Sequence, residues 1–307
     1  MTTQHDHHVS PQTVSVVGLG PMGRALARAF LLDGQVVKVW NRTPEKAADV
    51  VAAGASLAPS LADAFRTSSL VVVCVVDDDT VSEIVGTLDL PWLDASPVVL
   101  NLTADSPART RMLATQMGSL GLTYLDGAIM TPAATIGTDA ARVLVAGPQD
   151  VWESRESGLR ALGEIFYLGP DIASAATYDV ALLSLFWTSF AGIAQALALV
   201  QTEGIDSETF TPHAIATSQL TVDLLPTLAR DAAERRFAGA ETASVDSLQA
   251  SISHLRAAFQ DARVSTTVLD AIATIVAKAV DDGRGSSAPV VLSETLAASN
   301  ASQRVPR

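Results

Sequence analysis

Along the first half of the chain, short apolar runs alternate with stretches of helical periodicity. The runs are Val14 to Gly18, Gln35 to Trp40, Leu70 to Val76, Pro97 to Leu102, Thr123 to Ile129, Arg142 to Gly147 and Ile165 to Leu168. Leu70 to Val76 begins apolar throughout, as a strand covered on both faces must be. A helical stretch follows Gly18 to about Leu32, and another covers Pro44 to Ala53. This alternation predicts an α/β protein with a Rossmann-type doubly wound parallel sheet. Beyond Gly169 the pattern becomes helical: Ala173 to Thr202, Thr211 to Ala238, Ser244 to Asp261 and Thr266 to Asp282. An all-helical C-terminal domain is therefore expected, joined to the sheet by a long interdomain helix. The predicted boundaries are 1–12 tail, 13–169 sheet domain, 170–300 helical domain and 301–307 tail.

Composition narrows the class. The 307 residues are 48% hydrophobic and 17% charged, which fits a packed protein rather than a disordered one. A net charge of −13 disfavours nucleic acid and anionic membrane surfaces as partners. The single cysteine, Cys74, lies in an apolar run and reads as a small buried hydrophobe. His5, His7 and His8 sit in a polar N-terminal stretch with the character of a frayed tail, not of a secretory signal, so the cytoplasm is expected. Val180 to Val200 carries no charge and is long enough to cross a bilayer. Yet no Lys or Arg occurs between Arg160 and Arg230 to anchor it, so burial between domains or subunits is the expectation, and no membrane.

The candidate chemistry begins at Gly18-Leu19-Gly20-Pro21-Met22-Gly23, which follows a strand and opens a helix. In that context the first glycine allows a tight turn, the second lets a pyrophosphate approach and the third lets helix pack on strand. The helix N-terminus then attracts the phosphates. The end of the second strand selects the dinucleotide. A carboxylate there would bind ribose hydroxyls and repel a 2′-phosphate, but this chain has Asn41, Arg42 and Thr43, with Lys46 one turn on. Hydrogen-bond donors and a planar guanidinium suit the phosphate, so the expected cofactor is NADPH/NADP. Val76 borders the loop after the third run, and Asp77, Asp78 and Asp79 beyond it read as a solvated helix start. No grouping of metal ligands is suggested, and no Gly-x-Ser-x-Gly nucleophile motif occurs.

The glycine motif with its Met, the Asn-Arg-Thr turn and the helical second half resemble the β-hydroxyacid dehydrogenase superfamily. Members of that superfamily use a catalytic lysine near the start of the interdomain helix. Here the lysines are Lys38, Lys46 and Lys278, and none can stand there. The stretch reads Thr177-Tyr178-Asp179-Val180-Ala181-Leu182-Leu183 instead, and it resembles the corresponding segment of imine reductases. Asn101 to Pro107, Asp126 to Met130 and Ile136-Gly137-Thr138 are similar to further segments of that family, from about Val14 to Leu296 overall. Ala104, Asp105 and the Pro132 to Thr135 stretch depart from its pattern, which bears on substrate preference.

The resemblance implies an NADPH-dependent imine reductase with reductive aminase activity in reach, acting on a small imine or an amine and carbonyl pair. It implies a homodimer whose active site is shared between subunits. It also implies catalysis by Asp179 or Tyr178, cofactor contacts at Asn101 and Thr103, and a pocket drawing on Trp187, Leu183, Met130, Leu248 and Gln249. Elementary electrostatics agrees with the aspartate. A lysine about 4 Å from an iminium cation would oppose it by about 4 kcal/mol at an effective dielectric near 20, and a carboxylate would attract it by as much. Adjacent helix residues point about 100° apart, so Asp179 and Tyr178 are not expected to face one substrate. From sequence Asp179 also reads as a helix-start residue favoured by the macrodipole. A carbonyl or hydroxyacid oxidoreductase using Tyr178, and a non-catalytic NADPH-binding protein, remain the alternatives.

Overall fold

Residues 14 and 16 point to one side of the first strand and 17 to the other, and the two covers of the sheet follow from that alternation. Val14 and Val16 pack with Leu26 and Phe30, while Val17 joins Phe65, Val71, Val73 and Val81. The computed structural model describes residues 13–88, 97–238 and 243–298. The expected tails at 1–12 and 301–307 lie outside the described residues. The chain forms two compact units that divide inside its longest helix, between Ser184 and Leu185.

The first unit holds an eight-stranded sheet ordered β3-β2-β1-β4-β5-β6-β7-β8. The strands are β1 (Thr13–Val17), β2 (Val36–Trp40), β3 (Ser56–Leu57), β4 (Leu70–Val73), β5 (Val98–Asn101), β6 (Thr123–Ile129), β7 (Arg142–Ala146) and β8 (Glu164–Tyr167). β1 pairs with β2 on one side and β4 on the other, so the strand order reverses there. That crevice at the carboxyl ends is where open α/β sheets bind ligands. The helices are α1 (Pro21–Leu32), α2 (Ala48–Ala52), α3 (Leu61–Arg66), α4 (Asp78–Gly86), α5 (Pro107–Ser119), α6 (Gln149–Leu159) and the start of α7 (Ser174–Thr202).

The sheet is parallel with one exception: β6 and β7 run antiparallel. The chain between them contains only a short helical turn at Ala133–Thr135, too little for a parallel crossover, so it turns straight back. The two-residue β3 escaped the apolar pattern because both of its residues are exposed.

The second unit contains the rest of α7 with α8 (Ser207–Ala233), α9 (Val245–Asp261), α10 (Thr267–Asp281) and α11 (Leu292–Ala298). Val245, Ile252, Val276, Ala279 and Val291 form its core. α9 opens with a capping box in which Ser244 and Ser247 bond each other's backbone. α8 starts earlier than the expected Thr211 because Asp206 accepts from the Thr209 N–H at 2.8 Å and caps the helix there.

The charge-free helix, expected to be buried between domains or subunits, is not covered within a single chain. By length and composition α7 can cross a membrane, but its apolar side chains are open within the chain: Phe186 is 57% and Trp187 59% exposed. α8 has no buried residue at all.

Candidate active site

The glycine turn between β1 and α1 forms one wall of a cleft of about 650 Å³ at the carboxyl edge of the sheet. Gly18 has φ +97°, and a side chain there would also meet the Cys74 carbonyl. A Cβ on Gly23 would run into the Gly18 carbonyl oxygen, so α1 can pack this closely only on glycine. Gly20 is the opposite case, since a Cβ there would meet nothing within 4 Å. The turn is thus closed behind and open in front. α1 starts at Pro21 with no side-chain cap, leaving its first N–H groups directed to that opening. Together these features fit a dinucleotide pyrophosphate.

The turn is tied to β2 by one side chain. Asn41 Oδ1 accepts from the Leu19 N–H at 2.9 Å, and Asn41 Nδ2 donates to the Thr43 carbonyl at 2.9 Å. Asn41 is therefore chiefly a brace between the two strand ends. Leu19, Pro21, Met22, Asn41, Arg42, Thr43, Lys46 and Val76 all line the cleft together with the three glycines. Arg42 and Lys46 are exposed, and among the described residues neither is in an ion pair. An exposed cation with no carboxylate partner is available to a phosphate. Leu61 and Ile84 add apolar surface, and Thr80, Glu83 and Thr87 of α4 complete the far wall. Cys74 also lines the cleft, its thiol pushed up to about 11 by burial, so it is no nucleophile.

Asn101 and Thr103, expected as cofactor contacts, are not among the residues that line this cleft. Asn101 is fully buried; its Nδ2 donates to Asp78 at 2.9 Å and to the Tyr124 hydroxyl at 3.2 Å. Its Oδ1 accepts from the Thr103 N–H at 3.1 Å. Thr103 Oγ1 in turn accepts from the Val75 N–H at 3.1 Å. These groups hold the strand ends in place.

The solvated helix start expected at Asp77 to Asp79 is only partly that. Asp77 caps α4, accepting from the Thr80 N–H at 2.8 Å, and the exposed Asp79 pairs with Arg109. Asp78 is buried, with one oxygen on Asn101 and the other without a partner. Burial pushes its carboxyl above the usual range, with the nearby Asp105 adding to the push. Next along β6, the Tyr124 hydroxyl donates to Asp126 at 3.0 Å. Asp126 is held well above the ordinary carboxylate range, first by burial and then by the charges of Asp78 and Asp179. Sequence reading overlooked Asp78, Tyr124 and Asp126 as a group. A signal was there: an aspartate in the middle of an otherwise apolar strand.

Asp179 stands in the second turn of α7 and is 5% exposed, whereas Tyr178 beside it is 51% exposed. Just before α7, the Asp171 side chain accepts from the Ala173 N–H at 3.2 Å. Burial raises the Asp179 carboxyl, and among the described residues no hydrogen bond reaches it. Met130 and Leu183 belong to the first unit, Met130 packing by Ala128, Leu144 and Ala175. Trp187 lies in the second unit in an aromatic group with Phe186 and Phe190, at 5.2 and 6.0 Å between ring centroids. Leu248 packs into the second unit's core and Gln249 beside it is exposed. Among the described residues no three His, Cys, Asp or Glu side chains are grouped to hold a metal ion.

A glycine turn at a sheet crevice, unpaired cations at the end of β2 and a helical second unit define a dinucleotide-dependent oxidoreductase. Residues 13–169 match the NAD binding domain of 6-phosphogluconate dehydrogenase, and residues 171–298 match the C-terminal domain of NADPH-dependent reductive aminase-like proteins. An NADPH-dependent reductive aminase of Aspergillus oryzae is 31% identical over 89% of this chain and 92% of its own length. The imine reductase of Myxococcus stipitatus in complex with NADP+ superposes with a TM-score of 0.84 at 31% identity, over 92% of this chain and 99% of that one. The reductive aminase of Aspergillus terreus with NADPH4, cyclohexanone and allyl amine gives 0.83 at 33% identity, over 94% and 100%. The chain belongs to the imine reductase and reductive aminase family.

Proposed function

We propose that this protein reduces the carbon–nitrogen double bond of a small iminium substrate to an amine at the expense of NADPH. One observation carries the reading: Asp179, almost wholly buried and without a hydrogen bond among the described residues, stands at the head of a helix where a lysine would oppose a cation. No Lys or Arg lies between Arg160 and Arg230, so no charge in that stretch offsets the aspartate. Its position in the second turn argues against a simple helix-start role, because the macrodipole fades within the first turn. The exposure of Tyr178 supports Asp179 over Tyr178 as the group beside the substrate.

NADPH, when bound, supplies the hydride. Gly18, Gly20 and Gly23 would shape the turn for its pyrophosphate, and Arg42 and Lys46 would hold a 2′-phosphate. Asp179 would attract the iminium cation, and its raised pKa also suits it to pass a proton to nitrogen. The complex of the Aspergillus terreus relative with cyclohexanone and allyl amine supports a condensing amine and ketone as substrates here too.

Asp179→Ala is expected to lower imine reduction by about a hundredfold, with NADPH affinity within about twofold of wild type. Unchanged turnover with a cyclic imine would remove Asp179 from the mechanism. The open apolar sides of α7 and α8 support a second copy of the chain as their cover, with the active site shared between the two. A sedimentation experiment tests this: Phe186→Glu, which puts a charge on that surface, should yield monomer where wild type gives dimer. The cytoplasm is the proposed compartment.

A further inference from the structure

Beneath the candidate site, buried polar groups run in a line from α4 across β5 and β6 to the head of α7. Asp78 bonds Asn101 at 2.9 Å, Asn101 bonds the Tyr124 hydroxyl at 3.2 Å, and that hydroxyl bonds Asp126 at 3.0 Å. Asp126 pairs in the sheet with Ala146, and Ala128, two residues on, packs on Ala175 in the first turn of α7. The backbone N–H of Ala176 in that turn also acts on the Asp126 carboxyl. Asp179 is three residues further along the helix, within the same compact unit.

We propose that Asp126 is a positioning residue for Asp179, seating the first turn of α7 as a neutral acid so that Asp179 carries the one negative charge there. The proposal rests on the role given to Asp179 above. Its physical basis is the cost of burying charge. Asp78 and Asp126 are both almost wholly buried and linked through two neutral groups. One oxygen of Asp78 has no hydrogen-bond partner among the described residues. Ionising both acids in such surroundings is far costlier than leaving them protonated.

The groups that act on Asp126 come from each element around it: Tyr124 on its own strand, Asp78 on α4, and Asp179 and the Ala176 N–H on α7. The facing residue on β7 is Ala146, and Asn101 on β5 is neutral. Arg109 acts on Asp78 rather than on Asp126. The charge of Asp179 also pushes Asp126 up.

The test is a pH profile of kcat and kcat/KM with NADPH and a cyclic N-methyl iminium salt, whose charge does not titrate. Rates should fall on the acid side as Asp179 takes a proton. Asp126→Asn keeps the shape and stays neutral, so its acid limb should coincide with that of wild type. Had Asp126 been ionised, its loss would relieve repulsion and move that limb down by about a pH unit or more; such a shift overturns the proposal. Asp126→Ala should lower kcat by about tenfold with KM and NADPH affinity little changed, and Asp126→Asn should recover most of it. Wild-type kcat in Asp126→Ala overturns the proposal as well. If the alanine variant does not fold, Tyr124→Phe replaces it: kcat about fivefold down, acid limb in place. Full kcat in Tyr124→Phe counts against the proposal. Asp179→Asn separates the two readings. If it turns over normally, the role of Asp179 and this proposal fail together; if it is impaired while the Asp126 variants match wild type, only the positioning role fails.

Discussion

Two charged patches lie along the carboxyl edge of one sheet, and they are built in opposite ways. At the ends of β1 and β2 the charges are exposed cations, Arg42 and Lys46, and the bracing is neutral, by Asn41 and by backbone. Beyond β4 and within β6 stand two buried acids, Asp78 and Asp126, threaded together through Asn101 and Tyr124. Water solvates an exposed cation at little cost, so it can stand without a protein partner and remain available to a ligand. A buried acid has no such freedom. It must be protonated or share its charge, and the fold responds by tying it into a chain. The first patch is therefore suited to hold an anionic cofactor, and the second to control which carboxyl near α7 is ionised.

The most damaging way to break the first patch is through its backbone. Gly23→Val should lower NADPH affinity by more than about a hundredfold, or about 2.7 kcal/mol, because the new side chain must displace the Gly18 carbonyl from the turn. Fluorescence titration with NADPH would measure it. Arg42→Ala ranks next. Loss of a charge-assisted bond of about 1.5–3 kcal/mol should weaken NADPH about ten- to a hundredfold and leave NADH nearly unaffected. Equal loss with both cofactors would mean that Arg42 does not face the 2′-phosphate.

This difference between patches also decides what could be read from the sequence. The glycine turn and the Asn41-Arg42-Thr43 end of β2 are local: strand, turn and helix succeed one another, and the spacing alone carries the geometry. The same holds for most strands, whose apolar runs the sheet bears out, and for the caps at Ser244 and Asp77. The acid chain is not local. Asp78, Asn101 and Tyr124 lie 23 residues apart in succession and meet only because β4, β5 and β6 are neighbours. Asn101 and Thr103, which the resemblance suggested as cofactor contacts, engage their side chains with neighbouring strand ends. The antiparallel β7 was hidden for another reason: an apolar run has no direction, and only the short connection from β6 reveals it. Nothing in a helical pattern tells whether its apolar side meets its own chain or another, which is why burial of α7 was expected between domains or subunits alike.

The second patch should leave its mark on stability as well as on rate. Asp78 and Asp126 are raised in the folded protein relative to ordinary carboxyls. Over the range between the ordinary and the raised values, the folded state binds more protons than the unfolded one. Stability must then fall as pH climbs through that range. Melting temperatures measured across it should decline in wild type, and Asp126→Asn should flatten the slope by removing one of the two groups. An equal slope in both would mean that Asp126 ionises in the fold as it does in water.

The smallest effect is expected from a carboxylate that pairs with two arginines of α1. Asp49 pairs with Arg24 at 3.4 Å and with Arg28 at 2.8 Å, and all three side chains are at least partly exposed. Arg24 also donates to the Leu19 carbonyl at 3.1 Å, which holds the glycine turn without any help from Asp49. Asp49→Ala should therefore cost less than about 1 kcal/mol of stability, still less at high salt, and change NADPH affinity by no more than about twofold. Thermal melts at two salt concentrations and a cofactor titration would check both. A large loss of NADPH binding would show that the turn depends on an ion pair at its rim, and the contrast between a neutral brace and a charged chain would no longer hold.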